Sequence, residues 1–475
     1  MGWGRLRRMS VVVWIAAASF AGWLWMLVGQ GFFWRTDLRL PPRAEPEHWP
    51  SVAVVVPARD EAEVLPTSLP SLLAQDYPGH AEVYLVDDGS TDGTGELARG
   101  LAERTGGLAL TVTSPGEPPA GWTGKLWAVR HGMERARARA AGRHTDAEPH
   151  TEAGSQAGAG SHTEAGSHTD AEPHTEAGSH TDAGPHTEAG SHTDAGSHTQ
   201  AEPQADAGSR TPAPEYLLLT DADIAHAPDS LRTLVAAART GGYDLVSQMA
   251  RLRVASGWER LIVPAFVYFF AQLYPFRWIG RKGGRTAAAA GGCVLLRADA
   301  AERARVPDAI RHAVIDDVAL ARAVKRTGGH IWLGLADRVD SVRPYPRLAH
   351  LWRMVARSAY AQLRHSPAVL VVTVAGLAVV YLAPPVALVA GIATGSAGAA
   401  VFGGLAWLVM TATYLPMLRY YRQPLWLALT LPATALLYLL MTVDSAVQHY
   451  RGRGAAWKGR TYTRPGTTAP EESRP

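Results

Sequence analysis

Two short runs decide the fold: Ser51-Val52-Ala53-Val54-Val55-Val56-Pro57 and, about thirty residues on, Tyr84-Leu85-Val86-Asp87-Asp88-Gly89-Ser90. Both are apolar and end at turn residues, as buried parallel strands do. Ala58-Arg59-Asp60-Glu61 opens the loop between them, and Glu63 to Ala74 has helical spacing. Strand, helix and strand within this length form a βαβ unit. A further run, Tyr216 to Thr220, ends in Asp221-Ala222-Asp223, and Ile315-Asp316-Asp317 opens a helical stretch reaching Arg326. Two of these three carboxylate points follow an apolar, β-rich stretch. Open α/β sheets bind ligands there, at the carboxyl ends of their strands. Carboxylates so placed can hold a nucleotide or a hard cation, and a neighbouring one can take a proton. Neither Gly-x-Gly-x-x-Gly nor a Walker A pattern occurs, so a dinucleotide or P-loop site is not indicated.

At 475 residues the chain is too long for one ordinary domain. Cys293 is the only cysteine, which excludes an internal disulfide and a cysteine-based zinc site. The net charge of +3 conceals an asymmetry: residues 144–209 hold twelve acidic residues and no Lys or Arg, leaving +15 on the remainder. A basic body suits anionic headgroups or an anionic substrate. Nucleic acid is not expected as a partner, because no helix-turn-helix, zinc-finger or aromatic RNA-binding pattern appears.

Residues 144–209 are eleven tandem hexads of the type His-Thr-Asp/Glu-Ala-Gly-Ser or His-Thr-Asp/Glu-Ala-Glu-Pro. With almost no large apolar residue they cannot offset the entropy of folding, so a disordered surface loop is expected over 144–212. Nine of the eighteen histidines sit here. Six-residue spacing scatters them around a helix, which argues against a metal site. The loop separates a helical run, Lys125 to Arg143, from the strand at Tyr216.

Met9 to Trp34 is uncharged and preceded by Arg5, Arg7 and Arg8. It is too long for a signal peptide and reads as a spanning anchor. Ser366 to Leu418 is uncharged and leaves room for two spans, and Gln423 to Val443 is a third apolar stretch. Parity is then a difficulty. If the region 51–365 faces the cytosol, three later crossings put the basic tail Arg451–Arg464 outside, against the preference of positive charge for the inside. Either one segment is re-entrant, with Pro424 and Pro432 marking the candidate, or the count of segments is wrong. Leu261 to Phe276 is apolar and aromatic but short for a span, which leaves a core helix or an interfacial helix open.

Val56-Pro57-Ala58-Arg59-Asp60-Glu61, Val86-Asp87-Asp88-Gly89-Ser90-Thr91-Asp92 and Thr220-Asp221-Ala222-Asp223 resemble the inverting glycosyltransferases of family 2, with the GT-A fold. The resemblance covers about 51–365 less the repeat. Gly121-Trp122-Thr123-Gly124-Lys125-Leu126-Trp127, Ala290-Gly291-Gly292-Cys293, Ile315-Asp316-Asp317 and Ile331-Trp332-Leu333-Gly334-Leu335 are similar to the membrane-bound hopene-associated glycosyltransferases of bacterial hopanoid gene clusters. The resemblance implies an α/β GT-A domain, a Rossmann-like nucleotide-diphospho-sugar transferase, joined to transmembrane helices. Its parts would be an anchor and linker (1–50), a catalytic domain (51–365), C-terminal membrane helices (366–446) and a basic tail (447–475).

Position by position it implies that Pro57, Ala58, Asp60 and Asp87 line the nucleoside pocket and that Lys125 helps hold the nucleotide. Asp221 and Asp223 would bind Mg²⁺ or Mn²⁺ bridging the diphosphate, since hard cations take oxygen ligands. Asp317 would be the general base, ionised at neutral pH. The Gln-x-x-Arg-Trp of processive members becomes Met354-Val355-Ala356-Arg357-Ser358, so Arg357 could meet the diphosphate while the Trp is missing. Single-sugar transfer from a nucleotide-sugar to a lipid, hopanoid-related, is the expectation, at the bacterial cytoplasmic (inner) membrane with the catalytic domain facing the cytosol. Polysaccharide synthesis and a catalytically dead scaffold are the competing readings.

Overall fold

The apolar run at Val52 builds the middle of a mixed sheet. The computed structural model describes residues 3–41, 44–142 and 212–451, with the backbone of 456–457 and 460–461. The hexad repeat and most of the basic tail lie outside the described residues. Eight strands form the sheet: β1 (Val52–Ala58), β2 (Ala81–Asp87), β3 (Ala109–Thr113), β4 (Tyr216–Thr220), β5 (Ile224–His226), β6 (Leu245–Leu252), β7 (Cys293–Arg297) and β8 (Ile331–Ser341). Their order is β3-β2-β1-β4-β7-β6-β8-β5. The first four run parallel, β7 is antiparallel to both its neighbours, and β6 and β8 are parallel. The α/β class expected from the sequence is the one observed.

Helix α1 (Trp3–Val28) precedes the sheet, and α2 (Leu65–Leu73), α3 (Thr94–Thr105), α4 (Gly124–Ala140) and α5 (Ser230–Gly241) alternate with its strands. Helix α2 begins two residues later than its apolar spacing suggests, because residues 61–64 form a turn. Next come α6 (Gly257–Leu273), α7 (Phe276–Ile279), α8 (Ala298–Arg303), α9 (Asp316–Arg326) and α10 (Leu348–Gln362). The last group is α11 (Pro367–Leu377), α12 (Ala383–Thr394), α13 (Ala397–Tyr420) and α14 (Leu431–Tyr450).

Side chains alternate across a strand, and β1 uses both faces. Val52, Val54 and Val56 pack in one core with Leu65, Leu69 and Leu234, whereas Ala53 and Val55 pack in another with Val129 and Met133. All seven residues of β1 are buried, which explains why the run reads as continuous apolar sequence instead of alternating. Helix α4 comes close enough for this packing only because residue 132 is glycine. A Cβ there would lie 2.6 Å from Val55 Cγ1 and 3.0 Å from Val86 Cγ2.

Four segments are long and apolar enough to cross a membrane: Val11–Val28, Pro367–Thr394, Ala397–Tyr420 and Leu425–Tyr450. They match the four apolar stretches seen in the sequence, with α11 and α12 making one segment. The Leu261–Phe276 run resolves into α6, and it is a packed helix. Ile262, Val263, Ala265, Val267 and Tyr268 are buried. Tyr268 Oη is 2.8 Å from Thr413 Oγ1, and Tyr438 Oη donates to the Ile262 carbonyl at 3.0 Å. Helix α6 therefore lies between the sheet and the apolar helices, covered by α13 and α14.

Gly132→Ala should force α4 off the sheet and destabilise the protein by about 1–3 kcal/mol, the usual cost of overpacking. Thermal unfolding of the detergent-solubilised protein checks this; an unchanged midpoint would mean that α4 has slack at Val55.

Candidate active site

Because β2, β1 and β4 are adjacent and parallel, the loops carrying Asp87, Asp60 and Asp221 leave the sheet from the same edge. Strand β7 runs the other way, so its preceding glycines return to that edge: Asp221 N–H donates to the Gly292 carbonyl at 3.4 Å. The sequence separation of these motifs is thus erased by topology.

Lys125 stands at the start of α4, where Thr123 caps the helix by accepting from Leu126 N–H. Its Nζ lies 2.8 Å from Asp221 Oδ1 and 3.0 Å from Asp316 Oδ2. One ammonium therefore ties the end of β4 to the first turn of α9. Burial alone would lower the Lys125 pKa, but Asp221 and Asp316 outweigh it and hold the ammonium above the ordinary lysine value. Burial raises Asp221, Lys125 opposes that, and Asp223 adds to the rise.

Asp317 lies beside this pair, held by two backbone donors: Gly291 N–H to Oδ2 at 3.0 Å and Val318 N–H to Oδ1 at 2.7 Å. Its pKa is pushed up to about 7, by burial first and by the Asp316 charge second, against the pull of Lys125. The expectation that Asp317 is ionised at neutral pH therefore concerns a carboxyl whose proton affinity burial raises. The cause is visible beneath it. The pocket that Lys125, Asp221, Asp316 and Asp317 rim is walled by Leu126, Val129, Met133, Leu296, Ile310 and Leu320, with Pro57. Aliphatic walls solvate a carboxylate poorly.

Asp223 points elsewhere. It accepts from Arg343 Nε at 3.0 Å and from Ser341 Oγ at 3.2 Å, and Arg343 Nη2 continues to Glu61 Oε2 at 2.5 Å. Burial lowers Arg343, but Asp223 and Glu61 outweigh it, so the guanidinium stays charged. Tyr345 is raised to about 12 by burial and by Asp223, with Arg343 and Arg357 opposing. Arg357, on an exposed turn of α10, thus acts electrostatically on this side of the site.

Asp60 and Asp87 serve their loops. Asp60 accepts from Thr91 N–H at 2.8 Å, which stitches the β1 loop to the β2 loop, and Asp87 accepts from Ser90 N–H at 2.8 Å within the β2 loop. Asp60 has φ +50°, a left-handed conformation that Asp tolerates better than most residues. Ala58 is fully buried and offers only its backbone; its carbonyl accepts from Asp88 N–H at 2.9 Å.

Sequence reasoning gave no role to Glu61, Arg343 or Tyr345. Glu61 stands within a quoted motif, but Arg343 follows β8 without a local signature and meets Asp223 only through the fold. Tyr274 was also missed. Its Oη accepts from Arg322 Nη2 at 3.4 Å and from Gln362 Nε2, and it feels the Asp317 charge.

Among the described residues no three His, Cys, Asp or Glu side chains converge as a metal cage. Asp221 and Asp223 offer two carboxylates, each already balanced by a cation. That set fits a hard cation held jointly with phosphate oxygens, the usual arrangement for Mg²⁺, and not a permanently resident ion.

The glycosyl transferase family 2 sequence model matches residues 53–141, and that of glycosyl transferase family 21 matches residues 208–469, more than half the chain. The chain belongs to glycosyl transferase family 21. Its α/β fold is of the GT-A type, with the family 2 match covering β1 to α4. An N-acetylglucosaminyltransferase of Mesorhizobium japonicum is 49% identical over 53 residues, which is 11% of this glycosyltransferase and 12% of that protein. The match therefore spans about an eighth of the curated relative's length. Among solved structures, the mannosyltransferase PcManGT from Pyrobaculum calidifontis, in complex with GDP-Man and Mn²⁺, is 17% identical with a TM-score of 0.49, covering 92% of this chain and 98% of its own. The S. aureus TarS fragment 1–349 in complex with UDP-GlcNAc is 11% identical with a TM-score of 0.33, covering 85% of this chain and 92% of its own.

If Asp317 is the group that accepts a substrate proton, kcat/KM should fall as pH drops through about 7. Asp316→Asn removes the adjacent negative charge and leaves Lys125 less opposed, so the acidic limb should move to lower pH. A pH–rate profile of both proteins checks the shift; an unmoved limb would assign that proton to another group.

Proposed function

We propose that this glycosyltransferase moves one sugar, with inversion, from a nucleotide-sugar donor to a hydroxyl of a membrane lipid, with a hopanoid-related acceptor as the first candidate. Residues 51–365, less the repeat, are the catalytic domain in this reading, 1–50 its anchor, 366–446 the membrane helices and 447–475 a basic tail. The protein resides in the bacterial cytoplasmic membrane with the catalytic domain in the cytosol. The observation that carries the reading is the Lys125 bridge, which brings Asp221 of the Asp-x-Asp pair and the Asp316-Asp317 turn to one pocket. The four apolar segments support a lipid acceptor.

The nucleoside sits at the ends of β1 and β2, against Pro57, Ala58, Asp60 and Asp87, and the diphosphate extends toward Asp221 and Asp223. Asp221 and Asp223 would hold Mg²⁺ or Mn²⁺ together with the diphosphate, and the cation would supply neutralising charge for the leaving group. Lys125 and Arg343 already provide positive charge on either side, and Arg357 adds to it. Asp317 takes the proton of the acceptor hydroxyl. The acceptor oxygen bonds to the anomeric carbon, and the bond from that carbon to the diphosphate oxygen breaks on the opposite face, which inverts the centre. Gly291 N–H and Val318 N–H hold the Asp317 carboxylate in place. The single-sugar outcome rests on Ser358 standing where processive relatives have Trp.

Asp317→Asn keeps shape and removes basicity, so it should lower kcat by roughly 10²–10⁴-fold, the usual worth of general-base catalysis, while nucleotide-sugar affinity survives. Asp316→Asn should be milder. Turnover and donor affinity measured in nanodiscs decide between them; full turnover by Asp317→Asn would remove it as the base.

EDTA should abolish turnover and Mn²⁺ or Mg²⁺ restore it, and Asp223→Ala should weaken cation-dependent nucleotide binding in calorimetry. Unchanged cation dependence in Asp223→Ala would take that carboxylate out of the metal site.

A further inference from the structure

Segment 425–450, the fourth apolar stretch, does not have the ends of a membrane span. Helix α14 and the 3-10 turn before it (Leu425–Thr430) are long enough to cross. A crossing segment, however, has its ends on opposite faces of the bilayer, about 30 Å apart along the normal. Here both ends are fastened to the sheet side of the molecule.

At the first end, Tyr420 Oη donates to the Ala336 carbonyl of β8 at 2.6 Å. Arg422 lines a cleft with Arg251, Asp340 and Ser341 of β6 and β8. At the second end, Tyr450 Oη lies 2.9 Å from Tyr360 Oη, and His449 stacks on His365 at 4.3 Å. Tyr360 belongs to α10, whose Gln362 reaches Tyr274, and Tyr274 is bonded by Arg322 of α9. The other apolar segments differ. Helices α12 and α13 turn at Gly395 and Ser396, and a Cβ on Gly398 would lie 3.3 Å from Val13 Cγ1. Val13 is about 22 Å along α1 from the sheet-side end of that helix, at 1.5 Å per residue.

We infer that α14 lies in the leaflet on the sheet side, its outer face among the acyl chains, and that the chain crosses the bilayer three times, through α1, through α11 with α12, and through α13. The inference rests on the membrane reading above. The outer face is a continuous apolar row: Leu425, Trp426, Leu429, Leu436, Leu440 and Val447 are exposed. The inner face is built into the protein. Asp444 accepts from Trp352 Nε1 at 2.9 Å. The Ser445 hydroxyl is inserted into the backbone ladder of α10, accepting from Tyr360 N–H at 3.0 Å and donating to the Ala356 carbonyl.

Cations flank the row on both sides, Arg419 and Arg422 before it and Arg451 after it, where headgroup phosphates of the same leaflet would meet them. Arg451, at the end of α14, is then on the sheet side. This removes the parity difficulty: positive charge stays with the catalytic domain. Helix α10, which carries Arg357 and Gln362, is held between the site and the leaflet.

The test uses the full chain in right-side-out and inside-out membrane vesicles, with a membrane-impermeant maleimide. Cys293 is buried and provides the background. Three single additions report sides: Glu103→Cys on the sheet part, Thr394→Cys at the turn between α12 and α13, and a cysteine appended after Pro475. The appended cysteine and Glu103→Cys should label in one vesicle orientation, and Thr394→Cys in the other. Labelling of the appended cysteine together with Thr394→Cys would make α14 a fourth crossing and overturn the inference. An alkaline carbonate wash is run beside it. Release of the protein from the vesicles by that wash would instead sink the membrane reading itself.

Discussion

The ammonium of Lys125 is the contact on which the site depends. It joins the carboxyl end of β4 to the first turn of α9, two elements nearly a hundred residues apart in the sequence. Without a cation between them, Asp221, Asp316 and Asp317 would crowd negative charge over an aliphatic floor. Burial and mutual repulsion would then protonate some of them. With it, the carboxylates share one cluster in which Lys125 opposes the effect of burial on Asp221 and Asp317, and Asp317 is pushed up to about 7.

A second cation, Arg343, repeats the device on the other side of the Asp-x-Asp turn. It binds Asp223 to Glu61 and so connects the end of β8 to the loop after β1. The two aspartates of one short motif therefore face different partners. An anionic diphosphate arriving between them would find positive charge already in place. A hard cation brought with it would meet oxygen ligands that are held, not floating.

The apolar helices follow from the same need for anchorage. Helix α6 is buried on the sheet side against α13 and α14, and its Tyr268, Phe269 and Gln272 reach into the apolar bundle. Ser445 splices into α10 where that helix carries Arg357. The apolar bundle and the sheet part are in this way one packed body among the described residues, and what holds α14 also holds the helix that carries Arg357.

The strand runs at Val52, Tyr84 and Tyr216, the helix from Asp316 and the four apolar stretches were legible in the sequence, because period, turn residues and long apolar runs are local properties. The motifs likewise named Asp221, Asp317 and Lys125 as chemistry. The partner of each charge was not legible. Arg343 has no local signature, and its pairing with Asp223 exists only because β8 ends beside β5. Neither was the proton affinity of Asp317, which depends on the aliphatic side chains of α4, β7 and α9 gathered beneath it. Helix α14 makes the same point: its composition fits a crossing, whereas its two ends are fixed by Tyr420 and Tyr450 finding partners on the sheet side. Sequence determined which groups could act and which segments prefer lipid. Tertiary structure decided their pairing, their ionisation and the direction of the last helix, because desolvation and long-range contact have no period along the chain.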